Sequence, residues 1–159
     1  MSISARLNEY LNDNKVDYEL VPHPHSYSSL SSAIAANISP SKIAKAVILE
    51  DHEGRRVMAV LPANHKISLR NLGDKLNRDL RLLEEKEVYE MFGDCQKGAI
   101  PSLGEVYNLE AVYDELLVEA KEIYFEAGDH NTLVHLGRED FVRLIKDAKH
   151  LRFSHESIH

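Results

Sequence analysis

The chain holds one cysteine and no tryptophan, and it has no apolar run that could cross a bilayer. Cys95 alone can form neither an intrachain disulfide nor a four-cysteine zinc site, and it fits a reducing compartment. The longest apolar stretches, such as 44–49 read through Lys45, fall far short of the roughly 18 residues of a spanning helix. The N-terminus, MSISARLNEYL, lacks the basic segment and apolar stretch of a secretory signal. A cytoplasmic protein with no membrane contact is therefore expected. Glycine and proline are sparse, 7 and 5 in 159 residues, which excludes collagen-like and low-complexity classes. With 43% hydrophobic and 28% charged residues, the composition is that of a globular chain. Its length suits a single domain over 1–159, with a core from about 3 to 148 and a tail from 149 to 159. A monomer is the simplest state.

Positive charge is also scarce. Nineteen Lys and Arg against 26 Asp and Glu give a net charge of −7, which argues against broad coating of duplex nucleic acid. The imbalance is uneven: residues 42–82 carry nine basic and five acidic residues, whereas 83–140 carry four basic and fifteen acidic ones. A basic segment on an acidic body can guide one short stretch of polyanion to one place, although a solvated surface with chance clustering has the same pattern. No G-x-S-x-G elbow, P-loop or G-x-G-x-x-G is present, which disfavours serine hydrolases and the usual nucleotide enzymes.

Local patterns predict the elements. Ile3, Leu7, Tyr10 and Leu11 recur at helical spacing over 3–15, with Ser2 or Ser4 as cap. A strand over 16–21 ends at Pro22 and Pro24, and a short helix runs over 28–38. Residues 45–50 and 56–62 form a hairpin around the turn 51–54, its first strand apolar on both faces and so central. Helices are expected over 68–76 and 84–92, a loop over 93–104, and strands over 105–108, 111–113, 122–127 and 132–136. A helix from 138 or 139 to 146 closes the core. Strands and helices mix without regular β-α-β alternation, which favours an α+β domain.

Several residues bear chemistry. His155-Glu-Ser-Ile-His159 matches HExxH, but its second histidine ends the given sequence, where helices fray, so it reads as coincidence. His23-Pro24-His25 is an equally weak metal signal. Cys95 reads as a packing cysteine, with a thiol nucleophile as the sharper alternative. Lys45 opens an apolar strand, so its ammonium either snorkels to solvent or stands in a cleft as a fixed cation. In Gly98-Ala-Ile-Pro-Ser-Leu-Gly104, glycines and a proline either make an ordinary turn or converge N–H groups on a carbonyl oxygen or phosphate.

Together the stretches Tyr18–His23 with the following serines, Ala44–Leu49, Val57–Ala63, Phe92–Pro101 and Glu126–His130, closing at Asp140-Phe141, resemble the YbaK/EbsC-type aminoacyl-tRNA deacylases. This family also supplies the editing domain of bacterial prolyl-tRNA synthetases. The resemblance covers most of the chain. It implies a mixed, mostly antiparallel, barrel-like sheet with surrounding helices, and hydrolysis in trans of the ester joining a wrong, small amino acid to the 3′ end of a tRNA, with alanine on the proline tRNA as first candidate.

The family's essential lysine falls on Lys45, and its GxxxP loop falls on Gly98 to Ser102, where Ser102 replaces the final proline. By the same resemblance Tyr27, Leu30, Ile34, Ala99, Ile100, Pro101, Ser102, Gly104, Asp129 and His130 surround the substrate, although helical spacing alone makes Leu30 and Ile34 core residues. The implied mechanism needs no cofactor and no metal: N–H groups of residues 98–102 hold the developing oxyanion, and Lys45 orients the ester. The partner is the CCA end of aminoacyl-tRNA, met by Lys42, Lys45, Lys66 or Arg70, with prolyl-tRNA synthetase as a further candidate. The alternative is a non-catalytic module holding an amino acid, a nucleotide or the tRNA 3′ end.

Overall fold

The structure, a computed structural model, describes residues 3–26, 28–96 and 98–156. The first helix, α1 (Ala5–Asp13), is capped by the Ser4 hydroxyl, which accepts from the Leu7 N–H, and it buries Leu7 and Leu11. Strand β1 (Tyr18–Pro22) follows, then α2 (Ser29–Ala36), capped by Ser28 and ended by Asn37 in the left-handed conformation. The expected hairpin forms from β2 (Ile43–Asp51) and β3 (Arg56–Pro62). Beyond it lie β4 (His65–Ile67), α3 (Leu69–Leu76, capped by Ser68), β5 (Leu80–Leu82) and α4 (Glu85–Met91). After the loop come β6 (Glu110–Asp114), α5 (Glu115–Glu119), β7 (Glu122–Glu126), β8 (Thr132–Gly137), α6 (Arg138–Leu144), β9 (Lys149–Leu151) and β10 (Ser154–Glu156).

Two expectations are corrected. Residues 104–107 form a 3-10 turn rather than a strand, with Asn108 left-handed at its end. The expected tail pairs instead: β9 lies parallel to β6, and β10 lies antiparallel to β4. Each of these strands is three residues long, too short to show periodicity.

The main sheet runs β1-β8-β7-β2-β3-β6-β9, with β5 also on β2. It is mixed: β2–β7, β3–β6 and β6–β9 are parallel, and the remaining pairings are antiparallel. The order is open, since no pairing among the described residues joins β1 to β9. Both faces of β3 are buried. Met58 and Val60 join Leu7, Leu11, Tyr113, Phe125 and Phe141 on one side, while Val57, Ala59 and Leu61 join Leu72, Val112 and Phe153 on the other. This explains why β3 reads as a continuous apolar run.

The topology opens a gap beside β2. Its parallel pairing with β7 covers only Ile43 and Ala44, and its pairing with β5 begins only at Leu49. Between them, Lys45 to Ile48 stay paired to β3 on one side, from Lys45↔Leu61 to Ile48↔Met58. On the other side the edge is left to loop residues.

Candidate functional site

A cavity of about 350 Å³ occupies this gap, lined by Ser28, Ser29 and Leu30 of the α2 start, Lys45 and Ala46 of β2, Ala63, Asn64 and Lys66 around the β3–β4 turn, and Gly98 and Ile100 of the loop. Lys45 is half-buried. Its ammonium is shifted below the ordinary lysine range, first by burial and then by the like charge of Lys66. Among the described lining residues there are two lysines and no acid. Lys45 thus lines a cleft and is partly withdrawn from solvent. The Asn64 Oδ1 atom is buried with no hydrogen-bond partner among the described residues.

The loop lines the same cavity through Gly98 and Ile100. Gly98 has φ +76°, a left-handed conformation that suits glycine, and it stands exposed at the cavity rim. The Ala99 N–H is spent on the Gln96 carbonyl at 3.1 Å, and Pro101 has no N–H. The N–H groups of Gly98, Ile100 and Ser102 find no acceptor among the described residues, and of these three Gly98 and Ile100 line the cavity. Gly104 is needed for packing. A Cβ there would stand 2.6 Å from the Ala111 Cβ and 2.9 Å from the Leu109 carbonyl oxygen, while its own N–H donates to Tyr113 Oη at 3.2 Å.

Of the residues expected around the substrate, Leu30, Lys45, Gly98 and Ile100 share this cavity. Ala99, Pro101, Ser102 and Gly104 are buried in the loop behind it, and the Ser102 hydroxyl has no hydrogen-bond partner among the described residues. Ile34 is 74% exposed, neither the core residue of its helical spacing nor a wall of the cavity. Tyr27 lies outside the described residues.

Asp129 and His130 belong to a buried cluster next to α2. His130 is 2% exposed with φ +58°, an unusual conformation for a residue with a Cβ. Its Nδ1 is 3.8 Å from Glu126 Oε2, and its ring meets that of His25 edge to face at 6.0 Å. The Ser32 hydroxyl donates to Glu126 Oε1 at 2.5 Å and lies 2.6 Å from the Ser26 hydroxyl. Burial pushes the Glu126 carboxyl up, Ser32 pulls it down in part, and nearby Asp129 raises it further, leaving it at about 7. Asp129 accepts from the Asn131 N–H and the Thr132 hydroxyl. Ser32 lies one turn along α2 from the cavity-lining Ser28 and Ser29, so the cluster holds the back of that wall.

The other candidates take structural places. The Cys95 thiol is pushed up to about 11, mainly by burial, and its partners are Tyr107 and Asp94 rather than a histidine. His155 and Glu156 lie in strand β10, which lacks the helical spacing a zincin needs, and His159 lies outside the described residues. Among the described residues no group of three His, Cys, Asp or Glu could hold a metal, and no helix is long and apolar enough to cross a membrane. Asn64 and Glu126 were not singled out from the sequence. Their signals were present, in the Pro-Ala-Asn-His turn between β3 and β4 and in the stretch leading to Asp129 and His130.

Comparison with known proteins gives a consistent picture. A model of the aminoacyl-tRNA editing domain matches residues 23–144. Among solved structures, the hypothetical protein APE2540 superposes with a TM-score of 0.83 at 21% identity, over 94% of this chain and 99% of that one. A candidate trans-editing enzyme for prolyl-tRNA synthetase gives 0.82 at 20% identity, over 98% of this chain and 99% of the other. A candidate signal transduction protein from Marinobacter aquaeolei VT8 gives 0.77 at 22% identity, over 96% of this chain but 31% of its own. No curated protein matches the chain. At these identities the structures establish a shared α+β fold.

Proposed function

Because the chain belongs to the aminoacyl-tRNA editing domain family, we propose that it is a deacylase acting in trans on the ester between a mischarged small amino acid and the 3′ end of a tRNA, the proline tRNA first among candidates. The observation that carries this reading is that one cavity in the gap of β2 is lined both by the half-buried Lys45 and by Gly98 and Ile100, whose N–H groups find no acceptor among the described residues.

An aminoacyl ester is already activated, so a positioned water suffices and no protein nucleophile is required. Water adds to the ester carbonyl, and the oxyanion that forms is held by the Gly98 and Ile100 amides, each such donor being worth roughly 3–4 kcal/mol in the transition state. A neighbouring hydroxyl of the same ribose relays the proton, accepting one from the attacking water as it passes its own to the departing ribose oxygen, so that the products are the free amino acid and the ribose hydroxyl. Lys45 supplies a fixed positive charge beside the carbonyl and the adjoining phosphate. The volume of about 350 Å³ is at the small end of ligand sites. With Leu30, Ala46, Ala63 and Ile100 lining it, the cavity suits a small side chain.

The test is deacylation of tRNAs mischarged with alanine, cysteine, serine or threonine, by the wild-type protein and by Lys45→Ala. Turnover of one ester that falls at least about 100-fold on substitution supports the reading. No turnover of any ester by a folded protein that still binds them would overturn it in favour of a binding module.

A further inference from the structure

Strand β10 lies beyond residues 23–144, the stretch matched by the editing-domain model, yet it is firmly seated. Phe153 is 1% exposed within the second core cluster. The Phe153 N–H and the Ser154 hydroxyl both donate to Asp114 Oδ2, at 3.2 and 2.7 Å, and the Phe153 carbonyl accepts from the Ser68 N–H at 2.8 Å. Ser154 Oγ also meets His65 Nδ1 at 3.0 Å. The register then pairs His155 directly with Lys66.

Directly opposed residues of an antiparallel pair point to the same face, with Cβ atoms about 4.5–5.5 Å apart. His155 is therefore the cross-strand neighbour of a lysine that lines the cavity. Side chains alternate along a strand. The opposite face of the ribbon carries Ser154, Glu156, His65 and Ile67, and the Ser154, His65 and Asp114 contacts are made there. Lys66 and His155 are both exposed, and among the described residues neither has an ion pair or hydrogen bond. Cationic and N–H donors thus continue from the cavity, which Lys45 and Lys66 line, onto the ribbon at His155.

We propose, resting on the deacylase reading for the choice of ligand, that the β4–β10 ribbon is the seat for the RNA strand leading into the cavity, with Lys66 and the His155 imidazole N–H contacting phosphates upstream of the terminal adenosine. This gives the C-terminal segment a binding role of its own and explains how an acidic protein grips only the 3′ end.

The test is equilibrium binding by the full chain of a short RNA that ends in CCA and carries a non-hydrolysable, amide-linked 3′-alanine. His155→Ala weakens binding about fivefold, the size of one net hydrogen bond, and His155→Lys restores it. Lys66→Ala weakens binding and flattens the log–log salt dependence by about 0.7, the slope of one single-strand phosphate contact. His52→Ala, in the exposed hairpin turn, leaves binding unchanged. Binding by His155→Ala equal to wild type, an equal loss in both His155 variants, or no binding of the RNA by the wild type would overturn the seat. Ester turnover, measured on the same preparations, separates the two ideas. A protein that binds through His155 without hydrolysing loses the deacylase reading and keeps the seat. One that hydrolyses with KM unchanged in His155→Ala keeps the deacylase reading and loses the seat.

Discussion

Asp51 and Glu126 are both buried carboxyl groups on one sheet, 2% and 1% exposed, and the protein treats them in opposite ways. At the end of β2, burial would raise the Asp51 carboxyl, but two backbone N–H groups, from Arg55 and Glu53, and the guanidinium groups of Arg78 and Arg55 overcome it. Asp51 is held well below the ordinary carboxylate range. At the end of β7, Glu126 has one hydroxyl donor and an oxygen with no hydrogen bond among the described residues, and it rests at about 7. Charges at the hairpin end are paired to hold the fold. At the cavity end, Asn64 Oδ1 and the Ser102 hydroxyl are buried with no hydrogen-bond partner among the described residues. Under the proposed deacylase reading, that unspent capacity is what a bound ester would take up.

The largest effect should come from breaking the paired end. Asp51→Asn removes the buried carboxylate that holds both Arg55 and the nearly buried Arg78, leaving Arg78 with Glu110 alone, and weakening a buried ionic network in this way is costly. Thermal unfolding should show the greatest loss of melting temperature among these variants, with catalysis by the folded fraction retained. The wild-type contribution of Asp51 is present above the ordinary carboxylate range and is lost only as strong acid protonates the folded state.

Glu126 should behave with the opposite sign. Its carboxyl is raised from 4.5 to about 7, so folding favours the protonated form, and its contribution is full below 4.5 and disappears as pH rises through 7. A shift of this size corresponds to about 3 kcal/mol. Urea unfolding at pH 4.5 and pH 8 should show the wild type losing that amount and Glu126→Gln losing none of it. Equal losses in both proteins would remove Glu126 from the account.

A smaller effect separates loop packing from loop chemistry. Gly104→Ala forces a Cβ against Ala111 and the Leu109 carbonyl, which should cost about 1–3 kcal/mol as overpacking and lower turnover through displacement of the loop. The smallest effect concerns Cys95. With its thiol pushed up to about 11, iodoacetamide at pH 7.5 should label it far more slowly than free cysteine, and Cys95→Ser should leave deacylation unchanged.

Much of the fold was legible where local chemistry decides it. Ser4, Ser28 and Ser68 marked helix starts, and the runs either side of 51–54 marked the hairpin. The 3-10 turn at 104–107 was hidden, because Glu-Val-Tyr reads as strand and only the packing of Gly104 against Ala111 decides otherwise. Strands β9 and β10 were hidden as well, since their partners lie more than 30 residues away in sequence. At the site, Lys45 stood out as a charge in an apolar strand, and the loop stood out by its glycines. Their meeting depends on β2 leaving β7 after Ala44, a matter of register that no local pattern encodes.

The division of labour between the two ends is tested most directly by comparing Lys45→Ala with Asp51→Asn in one experiment, reading melting temperature and release of alanine from alanyl-tRNA of the proline type per folded molecule. The account predicts that Lys45→Ala melts like the wild type and releases alanine no faster than buffer, while Asp51→Asn melts early and hydrolyses at the wild-type rate. Alanine release by a folded Lys45→Ala protein at the wild-type rate would contradict it.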